Sequence, residues 1–330
     1  MSDANVTPQR IIQVSTGGWA TAILATGAAY SIFTLVDGGV NTVEAIAKTA
    51  SLSRRGTGAL LDGLVGLGFL TVSDGVYANA PDAAAFLVEG RPTFFGAFPR
   101  YHYAAFPEWS HLPEVVKAGQ PREMTAVAEN PLWEQLVPAI AGLSMPVIHA
   151  AAAKLGIAKA GAISILDVGG GSGIYSAIWL GMNREARSTQ IDWANVNRLA
   201  RDFVGRSGAA DRLRTVDGDF HDLDFGTAEH DVAVYSHIAH QESPSQNVAI
   251  FRKFRKALKP GGTLIVSDFV VADDRSGPPF ALIFANEMLL HSKEGSTWRR
   301  ADYRKWVLEA GFDKVAFEAT DSPATLVYAS

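Results

Sequence analysis

The sequence predicts an α/β chain in two parts: a small, mainly helical domain followed by a doubly wound parallel sheet. Three observations carry this. The length of 330 residues is about twice what one domain commonly uses. Helical spacing with turn punctuation fills the first hundred residues, and beyond Ala160 short β-branched runs alternate with helical stretches. Finally, the apolar run Ile165-Leu166-Asp167-Val168 passes straight into Gly169-Gly170-Gly171-Ser172-Gly173, a strand entering a glycine turn.

In chain order, the segment between Arg10 and Asp37 has no charge and reads as one long apolar helix from Ile11 to Val36. Gln13, Ser15, Thr16, Thr21, Thr26 and Ser31 dilute it, which favours a buried interface helix over a membrane span. The turn Asp37-Gly38-Gly39 ends it, and Thr42 is placed to cap the next helix. Ser51-Leu52-Ser53 separates that helix from one over residues 54–65. Residues 68–72 and 76–77, joined by Asp74-Gly75, then form a hairpin. Helix, turn, helix and hairpin make a winged helix, giving a first domain over 1–98. Residues 99–155 form a helical linker whose aromatic residues, Phe94, Phe95 and Phe98 just before it and Tyr101, Tyr103, Phe106, Trp109 and Trp133 within it, are either packing between domains or a substrate wall. From 156 to 330, strands are expected at 163–168, 188–192, 213–216, 231–235 and 263–268, and helices at 172–180, 196–205 and 247–258. Residues 315–320 and 324–329 close the sheet as a hairpin.

Composition narrows the function. Apolar residues are 48% and charged residues 19%, as in globular proteins, and 29 basic against 34 acidic residues give −5, too little cationic excess for a chain built to neutralise phosphates. The first 98 residues hold Arg10, Lys48, Arg54, Arg55 and Arg91 against seven acids, so their winged helix is not expected to read nucleic acid. The absence of cysteine excludes disulfides, thiolate nucleophiles and thiolate metal sites. The opening MSDANVTPQR lacks a cationic, then apolar, leader, so a cytoplasmic protein with no membrane partner is the expectation.

The glycine turn lets a ligand touch backbone, but the dinucleotide spacing G-x-G-x-x-G fails in both registers, at Ile174 and at Ser176. Acids follow at successive strand ends. Asp192, nineteen residues past Gly173, can accept both hydroxyls of a ribose, and Asp219 can accept an adenine amino group, with Phe220 as a stacking surface. The candidate cofactor set is Asp167, Gly169, Gly171, Gly173, Asp192, Trp193, Asp219, Phe220 and Ser236.

With these residues the sequence resembles class I S-adenosylmethionine-dependent methyltransferases. The winged helix and the run Ala257-Leu258-Lys259-Pro260-Gly261-Gly262 extend the resemblance to the dimeric small-molecule O-methyltransferases, which include caffeic acid, hydroxyindole and bacterial polyketide and phenazine enzymes. It implies S-adenosylmethionine as cofactor, a Rossmann-like sheet, a homodimer joined by the first domain, and a hydroxyl on a small aromatic or natural-product acceptor as the methylated group. Implied by the resemblance, the general base is His240, where the family's His-Asp-Trp triplet reads His240-Gln241-Glu242. Asp268 stands in place of the supporting Glu, and a second family acid aligns near Thr297. His102, His111, His149, His221 and His230 match no catalytic position, and His237 is expected to pack beside the strand end. Tyr101, Phe106, Trp109, Met288 and His291 are the substrate candidates. A metal alternative unites His240 and His291 with Asp268 or Glu242, for C-methylation of a keto acid or methylation of a chelating diol. Transfer by proximity, or a cofactor-sensing regulator, are the remaining readings.

Overall fold

The structure is a computed structural model that describes residues 6–123, 127 and 130–330. It divides into two compact units, Met1–Pro107 and Glu108–Ser330, so residues 99–155 are shared between them and form no unit of their own.

In the first unit the uncharged segment is three helices, Gln9–Ser15, Gly17–Ala29 and Ile32–Asp37, in place of the single long helix. Thr16 turns its hydroxyl back onto the carbonyl of Ile12 at 2.9 Å, and Ser31 adopts a left-handed φ of 52°, which a continuous helix does not permit. Helices Val43–Thr49 and Arg54–Gly66 follow, capped by Thr42 and Ser53, whose hydroxyls accept from Ala45 N–H and Gly56 N–H. Strands β1 (Leu70–Ser73) and β2 (Val76–Asn79) pair antiparallel through a two-residue loop, Asp74 and Gly75, both at positive φ as a type I′ turn requires. Ile32, Phe33, Ile46, Leu61, Leu64 and Leu70 form the core beneath.

The second unit is built on a seven-stranded sheet of β3 (Ser164–Val168), β4 (Arg187–Asp192), β5 (Leu213–Asp217), β6 (His230–Ser236), β7 (Leu258–Asp268), β8 (Val315–Ala319) and β9 (Thr325–Ala329), in the order β5-β4-β3-β6-β7-β9-β8. The first five run parallel, and β9 lies antiparallel between β7 and β8. Alternate residues serve opposite faces. Leu166, Val168, Tyr235, Leu264 and Val266 meet helices Pro244–Ala257 and Arg300–Glu309. Ile165, Val234, Ile265 and Leu326 meet helices Met145–Leu155 and Ile174–Met182 on the other side. Burial on both faces explains why these strands read as apolar runs.

Among the described residues one helical run, Leu132–Leu155, is long and apolar enough to cross a membrane by length and composition. Val147, Ile148, Ala151 and Ala152 within it are buried against the sheet. Because the strand order reverses between β3 and β6, a crevice opens beyond their carboxyl ends, where ligands bind in such sheets.

Candidate active site

The glycine loop leaves β3 with Gly169, Gly171 and Gly173 at φ of 66°, 58° and 71°, a region costly for any residue with a Cβ. At Gly169 space is limiting as well, since a Cβ there would lie 2.7 Å from Cγ1 of Ile238. Gly171 N–H donates to Asp192 Oδ2 at 2.9 Å, and Trp193 N–H donates to Asp192 Oδ1 at 2.8 Å, which fixes the carboxylate at the end of β4. Burial pushes Asp192 up to about 6, against the pull of those two N–H groups.

Asp167 is fully buried, and neither carboxylate oxygen has a hydrogen-bond partner among the described residues. Burial, with the charge of Asp192 added, raises it to about 7. The hydroxyl of Ser236, at the end of β6, is likewise buried, near the hydroxyl of Tyr175. Asp219, two residues past β5, accepts from the backbone N–H and the ring Nδ1 of His221 through Oδ1, and no described residue donates to Oδ2. Three carboxylates with acceptor capacity to spare therefore line successive strand ends. S-adenosylmethionine fits that set because it offers an ammonium group, a ribose diol and an exocyclic amine, all donors.

His240 lies in a 3₁₀ turn, Ala239–Gln241, shortly after β6, and is 5% exposed. Its Nδ1 is 2.6 Å from Asp268 Oδ1 at the end of β7, and its backbone N–H donates to Asp268 Oδ2 at 2.9 Å. Burial favours a protonated Asp268, yet the charge and hydrogen bond of His240, followed by His237 and the Phe269 N–H, outweigh it and hold the carboxyl below its ordinary value. The ring of Phe269 stacks near the imidazole at 5.9 Å, and Phe284 meets it edge-on at 4.9 Å.

The turn is clamped from the segment after helix Pro279–His291. Trp298 Nε1 donates to Ala239 O at 3.1 Å, Ser296 N–H to His240 O at 2.8 Å, and Ser292 Oγ to Gln241 O at 2.8 Å. Thr297, where the resemblance aligns a second acid, is 1% exposed, and its hydroxyl has no hydrogen-bond partner among the described residues. Tyr303, which the sequence did not single out, instead donates to Asp268 Oδ2 at 3.0 Å.

His221, which matched no catalytic position, bridges Asp219 and Glu242. His237 packs at the end of β6 with a φ of 58°, its Nε2 buried without a hydrogen-bond partner among the described residues, and burial pulls its imidazole down to about 4.

The metal alternative meets a different grouping. Among the described residues the metal-capable side chains that converge are His237, His240 and Asp268, within 4.8 Å, and His291 is not among them. His291 Nε2 lies 3.4 Å from Glu287 on its own helix, and Glu242 is engaged by His221. Met288 is buried on that helix. Tyr101 and Phe106 belong to the first unit, where Phe106 packs over Gly18, and Trp109 belongs to the second.

The chain matches two protein-family models. The O-methyltransferase domain model matches residues 148–313 and the O-methyltransferase dimerisation domain model matches 12–89. The 3-hydroxy-5-methyl-1-naphthoate 3-O-methyltransferase of Streptomyces sahachiroi is 29% identical over 96% of this chain and 92% of its own. The tetracenomycin polyketide synthesis 8-O-methyltransferase of Streptomyces glaucescens is 27% identical over 97% and 95%. The crystal structure of human N-acetylserotonin methyltransferase in complex with S-adenosylmethionine superposes with a TM-score of 0.85 at 20% identity, covering 100% of this chain and 99% of that one. With just over half its length matched by the catalytic-domain model and a dimerisation domain ahead of it, the chain belongs to the O-methyltransferase family and is an S-adenosylmethionine-dependent methyltransferase.

Proposed function

We propose that the chain methylates a hydroxyl of a small aromatic natural-product acceptor, working as a homodimer, with His240 as general base and Asp268 holding its ring. The observation that carries this reading is the 2.6 Å contact between His240 Nδ1 and Asp268 Oδ1 at the carboxyl edge of the sheet. S-adenosylmethionine supplies an electrophilic methyl group when bound. The chain's own task is to hold the acceptor in line, keep water away and take the hydroxyl proton.

A carboxylate on Nδ1 fixes the tautomer that leaves the Nε2 lone pair free to accept that proton. Asp268, whose pKa is lowered chiefly by the charge and hydrogen bond of His240, in turn stabilises the imidazolium that forms. A phenol has a pKa near 10 in water, so a base positioned this way is worth about 10²–10⁴ in rate. Phe269, Phe280 and Phe284 pack with centroids 4.5 to 6.0 Å apart beside His240, a surface suited to a flat ring. The named activities of the two Streptomyces relatives, on a hydroxynaphthoate and in polyketide synthesis, support the same acceptor class.

The test is methyl transfer from labelled S-adenosylmethionine to 3-hydroxy-5-methyl-1-naphthoate and related hydroxyarenes, with S-adenosylhomocysteine binding followed by calorimetry. His240→Ala is expected to lower turnover by about 10²–10⁴ and leave that affinity as it was. Full turnover in the variant would end the general-base reading and leave transfer by proximity.

A further inference from the structure

The loop after β5 carries a bridge of charges that methyl transfer does not require. Asp219 Oδ1 accepts from the His221 backbone N–H at 2.8 Å and from its ring Nδ1 at 2.7 Å, while His221 Nε2 lies 2.9 Å from Glu242 Oε2. The Glu242 side chain is 8% exposed. Each ring nitrogen of His221 faces a carboxylate oxygen, an arrangement that favours a proton on both nitrogens and so the imidazolium form. The Glu242 hydrogen bond above all holds it there, with the ring raised to about 9 against the opposing effect of burial. Lys253, from helix Pro244–Ala257, fixes the same loop by donating to the carbonyls of Phe220 and Leu223 at 3.0 Å each and to that of His221.

Asp219 is therefore not a carboxylate free to turn. Its Oδ1 is taken twice, and Oδ2 is the oxygen to which no described residue donates; the Phe220 ring, next in sequence, lies 4.5 Å from that of His221. We propose that His221 is a positioning residue that fixes Asp219 Oδ2 as a one-sided acceptor for the exocyclic amine of adenine, making the cofactor seat selective for an aminopurine over an oxopurine. The proposal rests on the reading of Asp219 as the adenine acceptor. A 6-oxopurine turns a carbonyl oxygen towards Oδ2, and two acceptors then face each other. A carboxylate able to rotate would escape that clash and admit water, whereas one held at Oδ1 by two N–H groups cannot. Selectivity follows from rigidity as much as from the hydrogen bond itself.

The experiment is calorimetry of the full chain with S-adenosylhomocysteine and with its deaminated counterpart, S-inosylhomocysteine. The wild type is expected to prefer the adenosyl ligand by about 10–100-fold, the range for a hydrogen bond to a charged group. His221→Asn should bring the preference to within about threefold, chiefly by weakening the adenosyl ligand, with the urea midpoint of the ligand-free protein followed in parallel. Glu242→Gln keeps the imidazole and removes the charge behind it. It should give an intermediate preference, and it carries the test if the Asn variant does not fold. A His221→Asn protein that keeps the wild-type preference, or that loses both ligands by the same factor, would overturn the proposal. Asp219→Ala separates the two levels. If it keeps the preference, the adenine reading of Asp219 fails and the proposal falls with it; if it removes the preference while His221→Asn does not, only the role of His221 is refuted.

Discussion

Asp268 reaches the His240 ring although it is one methylene shorter than the family's Glu, because several donors converge on its carboxylate. Backbone N–H groups of His240 and Phe269 approach at 2.9 and 2.8 Å, and the hydroxyl of Tyr303 at 3.0 Å. Tyr303 is fully buried, and burial together with the Asp268 charge raises its pKa well above the ordinary value, so it remains a neutral donor. Removing that donor while keeping the ring isolates its contribution. Tyr303→Phe is expected to lower the unfolding free energy by about 1–3 kcal/mol, the range for leaving a buried charged acceptor short of a partner. It should also reduce turnover more than it changes S-adenosylhomocysteine affinity. Urea titration and calorimetry on the same preparation check both, and equal stability in the two proteins would show that the hydroxyl does not support the carboxylate. The His240–Asp268 pair was expected from the sequence, but the Tyr303 contact was not legible beforehand, since Tyr303 follows Asp268 by 35 residues and no local pattern links them. The same holds for His221 and Glu242, which are 21 residues apart.

Among the elements, the glycine loop and the His240 turn are neighbours through one side chain, Ile238. At Gly169 an added Cβ would meet Ile238 at 2.7 Å as well as a φ of 66°, whereas at Gly171 the nearest atom, on Val137, is 3.5 Å away. Gly169→Ala is accordingly expected to weaken S-adenosylhomocysteine binding by at least about tenfold, and Gly171→Ala by less. Left-handed strain of roughly 1–2 kcal/mol acts at both positions, but the steric conflict only at the first. Calorimetry giving the reverse order would refute this account. The central strands β3, β6 and β7 were readable because each contains a short apolar run, and the acids that matter mark the carboxyl ends. Asp192 closes β4 and Asp268 closes β7 within the spans expected from sequence. The first unit was less readable at its start. An uncharged run, apolar around its whole circumference, has no periodicity to locate a break, and Ser31 carries no glycine or proline signal for its left-handed turn.

Over the whole molecule, the first unit leaves large apolar side chains in water. Ile11 is 69%, Val14 76% and Trp19 71% exposed, on the first two helices, and the dimerisation-domain model begins among them at residue 12. Apolar surface of this kind marks an interface. Light scattering at micromolar concentration is expected to return twice the chain mass of 35.2 kDa, and Trp19→Asp to shift the population towards monomer. A single-chain mass for the wild type would refute it. The exposed first helices also bear on how stability is defined for this chain. If folding and pairing are coupled, the equilibrium is second order in chain concentration, so dilution alone favours unfolding. The melting temperature should then rise with protein concentration, and a melting point would describe a stated number of molecules per litre as much as the amino-acid sequence.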